Sequence, residues 1–468
     1  MLTKFKKTFI GDRAFYANVI RLVIPMILQN VVTSFVSFLD NIMVGRIGTE
    51  QMSGVAIANQ LMFIFNVSVF GAVSGPGIFG AQFYGKGDHE GQKYTFRFRL
   101  VVTLIFTAIA ALVFRFFDGD LIGLYISDAD SISNSALTIQ YSREYLSIML
   151  LSLLPFALGQ AYSSVIRECG ETVIPMAASF AAVFINLILD YAFIFGKFGF
   201  PVMGVKGAAI ATVIAKVVEA LVTIIWAHTH HDRNKYIIGL FKGFVIPGEL
   251  LKNMIIKSIP LMFNEFLWAA GVARIAQLFA MRGLDVVASY NISTTVNNLF
   301  NIVYMQLGIS IAIIVGQKLG AGKLDEARDA DNKLIAFSLM CGSAVAMLMI
   351  PFANVFPKIY NTDESIRELA AFFIVVQAAV TPLWIFSHCA YFTIRSGGKT
   401  GITFLFDSVY SWVFMIPLAY ILVHFTDLPI KPLYIIVNFS EIVKTAIGLY
   451  MVKSGMWINN LTEQNKAQ

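Results

Sequence analysis

Cysteine is scarce in this chain: Cys169, Cys341 and Cys389 are the only three, and none sits in a Cys-x-x-Cys or Cys/His ligand spacing. That excludes a disulfide framework and a thiolate metal centre, and leaves the three as structural residues. Charge is scarce too, 14% of 468 residues against 57% that are apolar. A mean hydropathy of +0.71 lies outside the range of water-soluble globular chains. No GxxxxGK[ST] phosphate loop and no GxSxG elbow occurs, so ATP-driven transport and serine-hydrolase chemistry find no support. The opening stretch MLTKFKKTFIGDRAFYANV lacks a short apolar core followed by a small-residue cleavage site, so the first span is expected to be retained.

What is present is a series of long apolar runs separated by charged connections. Each span needs roughly 20 apolar residues. The runs place spans near 18–44, 54–82, 94–117, 141–166, 173–196, 204–226, 254–281, 287–317, 334–357, 369–394, 401–424 and 432–452. With the N-terminus inside, Lys and Arg concentrate on the inner loops, above all HTHHDRNKYIIGLFKGF, and the outer loop FDGDLIGLYISDADSIS carries Asp118, Asp120, Asp128 and Asp130 without a cation. This positive-inside pattern puts both termini in the cytoplasm. It also explains the net charge of +6 as a topology signal, so no nucleic-acid partner is expected.

The sequence repeats itself. At one fixed offset Pro25 meets Pro260, Gly48 meets Gly283, Asn66 meets Asn301, and Gln82, Gly85 and Gly87 meet Gln317, Gly320 and Gly322, all without a gap. A second pair, RECGET from Arg167 to Thr172 and RSGGKT from Arg395 to Thr400, follows the fourth span of each half. Repeated halves are a signature of transporter architecture, and six spans per half orient both halves alike, about an axis along the membrane normal. The expected fold is an all-α integral membrane protein of about twelve helices in two pseudo-symmetric six-helix lobes with a central cleft. Residues 1–226 form the N-lobe, 227–253 a cytoplasmic connection, and 254–468 the C-lobe with a short cytoplasmic tail.

An ionisable group in the hydrocarbon region is costly and marks a functional candidate. Asp40, Asp190, Lys216, Glu219, Glu265, Arg274, Asp407, Glu441 and Lys444 qualify. Lys216 with Glu219, and Glu441 with Lys444, are three apart on a helix and read as structural ion pairs or interfacial residues. Asp40 and Asp190 have no cation within a turn, and each lies 15 residues after a proline, Pro25 and Pro175. Both therefore sit at one depth, about 8 Å from the outer helix ends. Asn186, a turn before Asp190, and Thr212 on the returning sixth span complete a cluster of oxygen-bearing side chains. Such a cluster can hold a proton or a small hard cation, or merely lock helices together. Pro25, lacking an amide hydrogen, gives the first helix a place to bend. His228, His230 and His231 read as a solvated loop, because a tetrahedral metal site draws ligands from more than one segment.

These residues resemble the MATE (multidrug and toxic compound extrusion) family, and within it the DinF-like prokaryotic branch. The carriers span nearly the whole chain: IPMILQNVVTSFVSFLDNIMVGRIG at 24–48, AQFYGKGD, IRECGET, FINLILDYAFIFG, GVKGAAIAT, GQKLGAGK and RSGGKT. The resemblance implies secondary active export of organic, often cationic compounds in exchange for H+ or Na+ by alternating access, with no cofactor beyond the coupling ion and no enzymatic step. It implies a multi-pass protein of a bacterial or archaeal cytoplasmic membrane, with drug-like small molecules and lipid as partners; a monomer is expected. By motif position Asp40, Asn186, Asp190 and Thr212 match the N-lobe ion-site residues of that branch, and Pro25 its bending proline.

The pattern also departs from relatives. Glu265 lies only five residues after Pro260, earlier than the acidic residue of the NorM-like branch, and TPLWIFSHCAYF in the tenth span holds no carboxylate. Ile275 stands where the repeat would place Asp40, with Arg274 beside it. Glu265 and Arg274 are left as substrate or structural residues, and Asp407 is expected near the inner interface. The competing function is a lipid-linked oligosaccharide flippase, for which more spans and an Arg-rich cavity would be expected.

Overall fold

In lipid every backbone N–H and C=O must be satisfied within the protein, and a long apolar run does so by becoming a helix. The computed structural model describes residues 8–125 and 132–464, and among them it contains helices and no strand. Asp128 and Asp130 of the expected outer loop lie outside the described residues. Among the described residues twelve helices are long and apolar enough to cross a membrane. The first six are α1 (Arg13–Gly45), α2 (Thr49–Lys86), α3 (His89–Phe116), α4 (Ile132–Glu168), α5 (Val173–Phe195) and α6 (Val205–Thr229). The second six are α7 (Gly248–Ala280), α8 (Leu284–Gly320), α9 (Leu324–Val355), α10 (Glu364–Ser396), α11 (Thr400–Phe425) and α12 (Ile430–Ser454). Most overshoot the apolar runs because polar ends such as Arg13 and His89 continue the helix past the hydrocarbon.

The chain groups into two compact units, one of Ile24–Gly80 with His89–Leu251, the other of Met1–Val23, Ala81–Asp88 and Lys252–Gln468. It changes unit inside two helices: α1 between Val23 and Ile24, next to Pro25, and α2 between Gly80 and Ala81, a turn after Pro76. A proline leaves the carbonyl one turn before it without its helical partner, which makes these the softest places in both helices.

The first unit packs around Leu61, Phe65, Leu146, Met149 and Leu153, and the second around Leu278, Phe373, Val380, Leu433 and Tyr434. Large apolar side chains also face outward, among them Phe35, Phe38, Leu151, Ile225, Met347 and Val413. In water such a surface would aggregate; in lipid it is the solvated face.

In the second unit the repeated glycine motif meets itself. A Cβ on Gly85 would collide with the carbonyl oxygen of Gln317, and one on Gly320 with that of Gln82. The two contacts are reciprocal, residue for residue, as a pseudo-twofold repeat requires. Gln82, fully buried, ties the C-terminal segment to the same place: its Nε2 donates to Ser396 O at 2.9 Å and Asn459 O at 3.2 Å, and its Oε1 accepts the Leu461 N–H at 2.8 Å. Gly320→Val should therefore separate α2 from α8, at a cost of about 1–3 kcal/mol or more, read as a lower thermal unfolding temperature in detergent. Gly87→Ala, facing open space, tests backbone strain alone.

Cys169 sits just past α4, where Gln92 Nε2 donates to its sulfur at 3.0 Å. Burial pushes its thiol up to about 12, so it stays protonated and inert, as the structural reading expects.

Candidate functional site

The first unit builds its polar site on α1, α4, α5 and α6. Small residues bring α5 and α6 together: Gly207 lies so close that a Cβ there would be 2.8 Å from the Phe193 backbone, and Ala208, Ala209 and Ala211 are buried along the same stretch. Close backbones of this kind drive helix association in membranes. The Met203 N–H donates to Phe193 O at 2.8 Å and holds the short connection between the two helices. The register that results places Thr212 of α6 in the same cluster as Asn186 and Asp190 of α5.

Asp190 is 1% exposed and Asn186 5%. Asp40 reaches them from α1, and its carboxylate lies within side-chain hydrogen-bonding reach of that of Asp190, a bond two carboxylates form only when one of them holds a proton. Asp40 Oδ1 and both Asp190 carboxylate oxygens are buried without a protein donor. Asn186 stands beside Asp190, and Thr212 Oγ1 donates to Ala208 O at 3.0 Å. Asp40, Asn186 and Asp190 are thus brought together, and Thr212 is linked to them through Tyr145. Two more belong with them: the Tyr145 hydroxyl from α4 lies within reach of Thr212 and of Asn59 on α2, in the field of both aspartates. Sequence reasoning missed Tyr145 and Asn59, because a tyrosine on an apolar helix face looks like any core residue.

A second polar layer lies three turns along the same helices. Gln29 Nε2 donates to Ser179 Oγ at 2.7 Å, Ser179 Oγ to Glu219 Oε1 at 2.5 Å, and Lys216 Nζ to Glu219 Oε2 at 3.0 Å. Arg167 Nη2 donates to Gln29 Oε1 at 3.3 Å. The Lys216–Glu219 pair read from spacing is therefore an ion pair, set inside a wider network.

The other unit holds a network of its own. Lys444 Nζ donates to Asp407 Oδ1 at 2.6 Å, Asn264 Nδ2 to Asp407 Oδ2 at 2.9 Å, and Ser408 Oγ to Asn264 Oδ1 at 2.8 Å. Asp407 lies in a π-helical turn of α11, Leu405–Val409, with its carboxylate held between Asn264 and Lys444. One expectation is corrected here. Lys444 ion-pairs with Asp407 and not with Glu441, because α11 brings it a carboxylate closer than the one a turn away. Glu265 accepts from Tyr391 OH at 3.4 Å, with the Arg395 charge close by. Arg274 is apart from it, donating to Gln277 Oε1 at 2.6 Å on the exposed side of α7.

The HTHH run does not converge as metal ligands would: His228 bonds Tyr162 OH at 3.0 Å and His230 stacks on Trp226. Among the described residues no group of three His, Cys, Asp or Glu side chains is arranged for a metal. An apolar pocket of about 370 Å³, lined by Leu100, Leu104, Leu158, Tyr162 and Phe241, shares no residue with the carboxylate cluster.

The MatE family model matches residues 25–192 and 260–421, two stretches that open on the repeat-related Pro25 and Pro260. The chain belongs to the MatE family. It is a multi-pass membrane transporter and not an enzyme. It is 24% identical over 441 residues to a probable multidrug resistance protein NorM of Thermotoga maritima, covering 94% of this chain and 92% of that protein. It is also 24% identical over 417 residues to the probable multidrug resistance protein YoeA of Bacillus subtilis, covering 88% of each. Among solved structures it superposes on a MATE in its bent conformation with a TM-score of 0.84, 19% identity and 98% of both chains covered. An outward-facing multidrug resistance MATE transporter of the MOP superfamily gives 0.81, again at 19% identity, over 96% of this chain and 98% of that one. At that identity the likeness speaks for the MatE fold, twelve helices in two repeated halves.

Proposed function

We propose that this MatE protein is a secondary active multidrug efflux antiporter of the cytoplasmic membrane, exporting organic, cationic or amphipathic compounds in exchange for H+ or Na+. The observation that carries the reading is the facing carboxylate pair, Asp40 and Asp190, of which Asp40 Oδ1 and both Asp190 oxygens are buried without a protein donor. Two such groups repel until a proton or a small cation sits between them, so occupancy changes the energy of bringing α1 against α5. Asn186, Thr212 and Tyr145 supply the remaining oxygens. Pro25 lies where α1 passes from one unit to the other, which suits a helix that bends as the site fills. A gradient then moves substrate because the ion binds the two states of the transporter unequally. The relatives named as multidrug resistance proteins support the substrate class, and the inner-loop Lys and Arg support cytoplasmic termini.

The test is transport of a fluorescent organic cation into proteoliposomes under a pH gradient and a Na+ gradient, each imposed alone. One of them is expected to drive accumulation above protein-free vesicles and so to name the coupling ion. Accumulation under neither would overturn the reading.

A further inference from the structure

The coupling cluster and the polar layer beneath it are built on the same three helices, two or three whole turns apart. Gln29 precedes Asp40 on α1 by 11 residues, Ser179 precedes Asp190 on α5 by 11, and Glu219 follows Thr212 on α6 by 7. Eleven residues are about three full turns and seven about two, so each pair lies on one helix face, and the two layers stand roughly 10–16 Å apart. Lys216 is the residue between them: it follows Thr212 by one turn, and its flexible four-carbon stem can carry the ammonium toward either layer.

We infer that Lys216 is a positioning residue of the coupling site, a resident counter-ion that rests on Glu219 when a proton or Na+ occupies the carboxylate pair and swings toward Asp40 when the site empties. The inference rests on the coupling role proposed for Asp40. In the structure the ammonium is on Glu219, at 3.0 Å, and its side chain is 30% exposed, so it is not clamped. Its charge already acts on Asp40. The groups that face it are Glu219 on its own helix, Asp40 on α1 and the Phe156 ring on α4; behind them Ser179 on α5 and Arg167 on α4 attend Glu219, and Asp190 on α5 attends Asp40. Arg167 also attends Glu219, which lets that carboxylate keep a cationic partner when the lysine leaves.

The repeat contains its own comparison. Lys216 and Lys444 stand at the offset that relates RECGET to RSGGKT, and the same relation takes Ser179 to Asp407, while Gln29 corresponds to Asn264. Both halves therefore hold a lysine, an amide and a carboxylate in one constellation. They differ where the inference requires it. In the second half Ile275 replaces Asp40, so no carboxylate stands at that position for Lys444 to visit; its other acidic neighbour is Glu441, one turn away on its own helix. There the lysine is held harder, 2.6 Å from Asp407 with its side chain 12% exposed.

The experiment is gradient-driven uptake of the fluorescent cation by the full chain in proteoliposomes, across a pH series or a Na+ titration, for Lys216→Met, Lys216→Arg and Glu219→Gln. Removing the ammonium lets the carboxylates retain their cation more tightly, so Lys216→Met should move the half-maximal pH upward by about one unit, or lower the half-saturating Na+ about tenfold. Glu219→Gln removes the resting place and a nearby negative charge, so it should shift the same quantity the opposite way. Lys216→Arg should stay near the parent. A purely structural role would not give shifts of opposite sign, so shifts in one direction, or none, would overturn the inference. If Lys216→Met fails to insert, the acid or low-affinity shift of Glu219→Gln decides alone. Asp40→Asn, run alongside, separates the two ideas: coupling that survives it overturns the coupling site itself, whereas coupling lost there with no shift at Lys216 overturns only the lysine's role.

Discussion

Asp40→Asn is expected to abolish gradient-driven uptake while the protein remains folded in the membrane. The substitution keeps the shape of the side chain and removes the negative charge that holds the coupling ion. An antiporter responds to a gradient only through the difference in ion affinity between its two states, and an asparagine facing Asp190 gives the ion little to distinguish them by. Uptake under either gradient should fall more than about tenfold, to near the level of empty vesicles, while binding of the organic cation persists. Asp190→Asn should behave alike, because the two carboxylates act as one site, and the double variant should lose no more than either single one. Retention of parental uptake in Asp40→Asn would remove the carboxylate pair from the mechanism.

Asp407→Ala is expected to be the most destabilising single change in the second unit. It leaves the Lys444 ammonium buried with its closest partner gone, and it takes from Asn264 Nδ2 the closer of its two acceptors, leaving Tyr391 OH at 3.4 Å. Breaking one side of a buried ion pair costs about 3–5 kcal/mol, much more than the pair contributes over an apolar replacement. In detergent the unfolding temperature should drop by several degrees, and membrane-inserted protein should fall with it. The paired change Asp407→Leu with Lys444→Met should recover most of the loss, since no lone charge remains. A single variant as stable as the parent would show that Lys444 has another strong partner, with Glu441 the candidate a turn away.

Much of this was readable before any coordinates. Asp40 and Asp190 stood out because a carboxylate with no cation within a turn is conspicuous in an apolar run, and Asn186 and Thr212 followed from depth. Tyr145 and Asn59 were not readable, since nothing local separates a hydroxyl aimed at a carboxylate from one aimed elsewhere. Lys444 was read with Glu441, as an ion pair or as interfacial residues, because the helix makes the two neighbours. Asp407 sits across a helix interface, a contact that spacing along one helix does not reveal.

The sequence by itself determined the solvent, the all-α class, the twelve spans and the duplication, because hydropathy, helical period and repeat register are local properties of the chain. It also singled out the charges that lipid would not tolerate unpartnered. Tertiary structure alone decided which of those charges meet across helices: Asp40 with Asp190, Glu219 with Ser179, Lys444 with Asp407. The physical reason is that a partner depends on how each helix is rotated and how closely neighbours approach. Those are set by small residues such as Gly85, Gly207 and Gly320 packing against distant backbone.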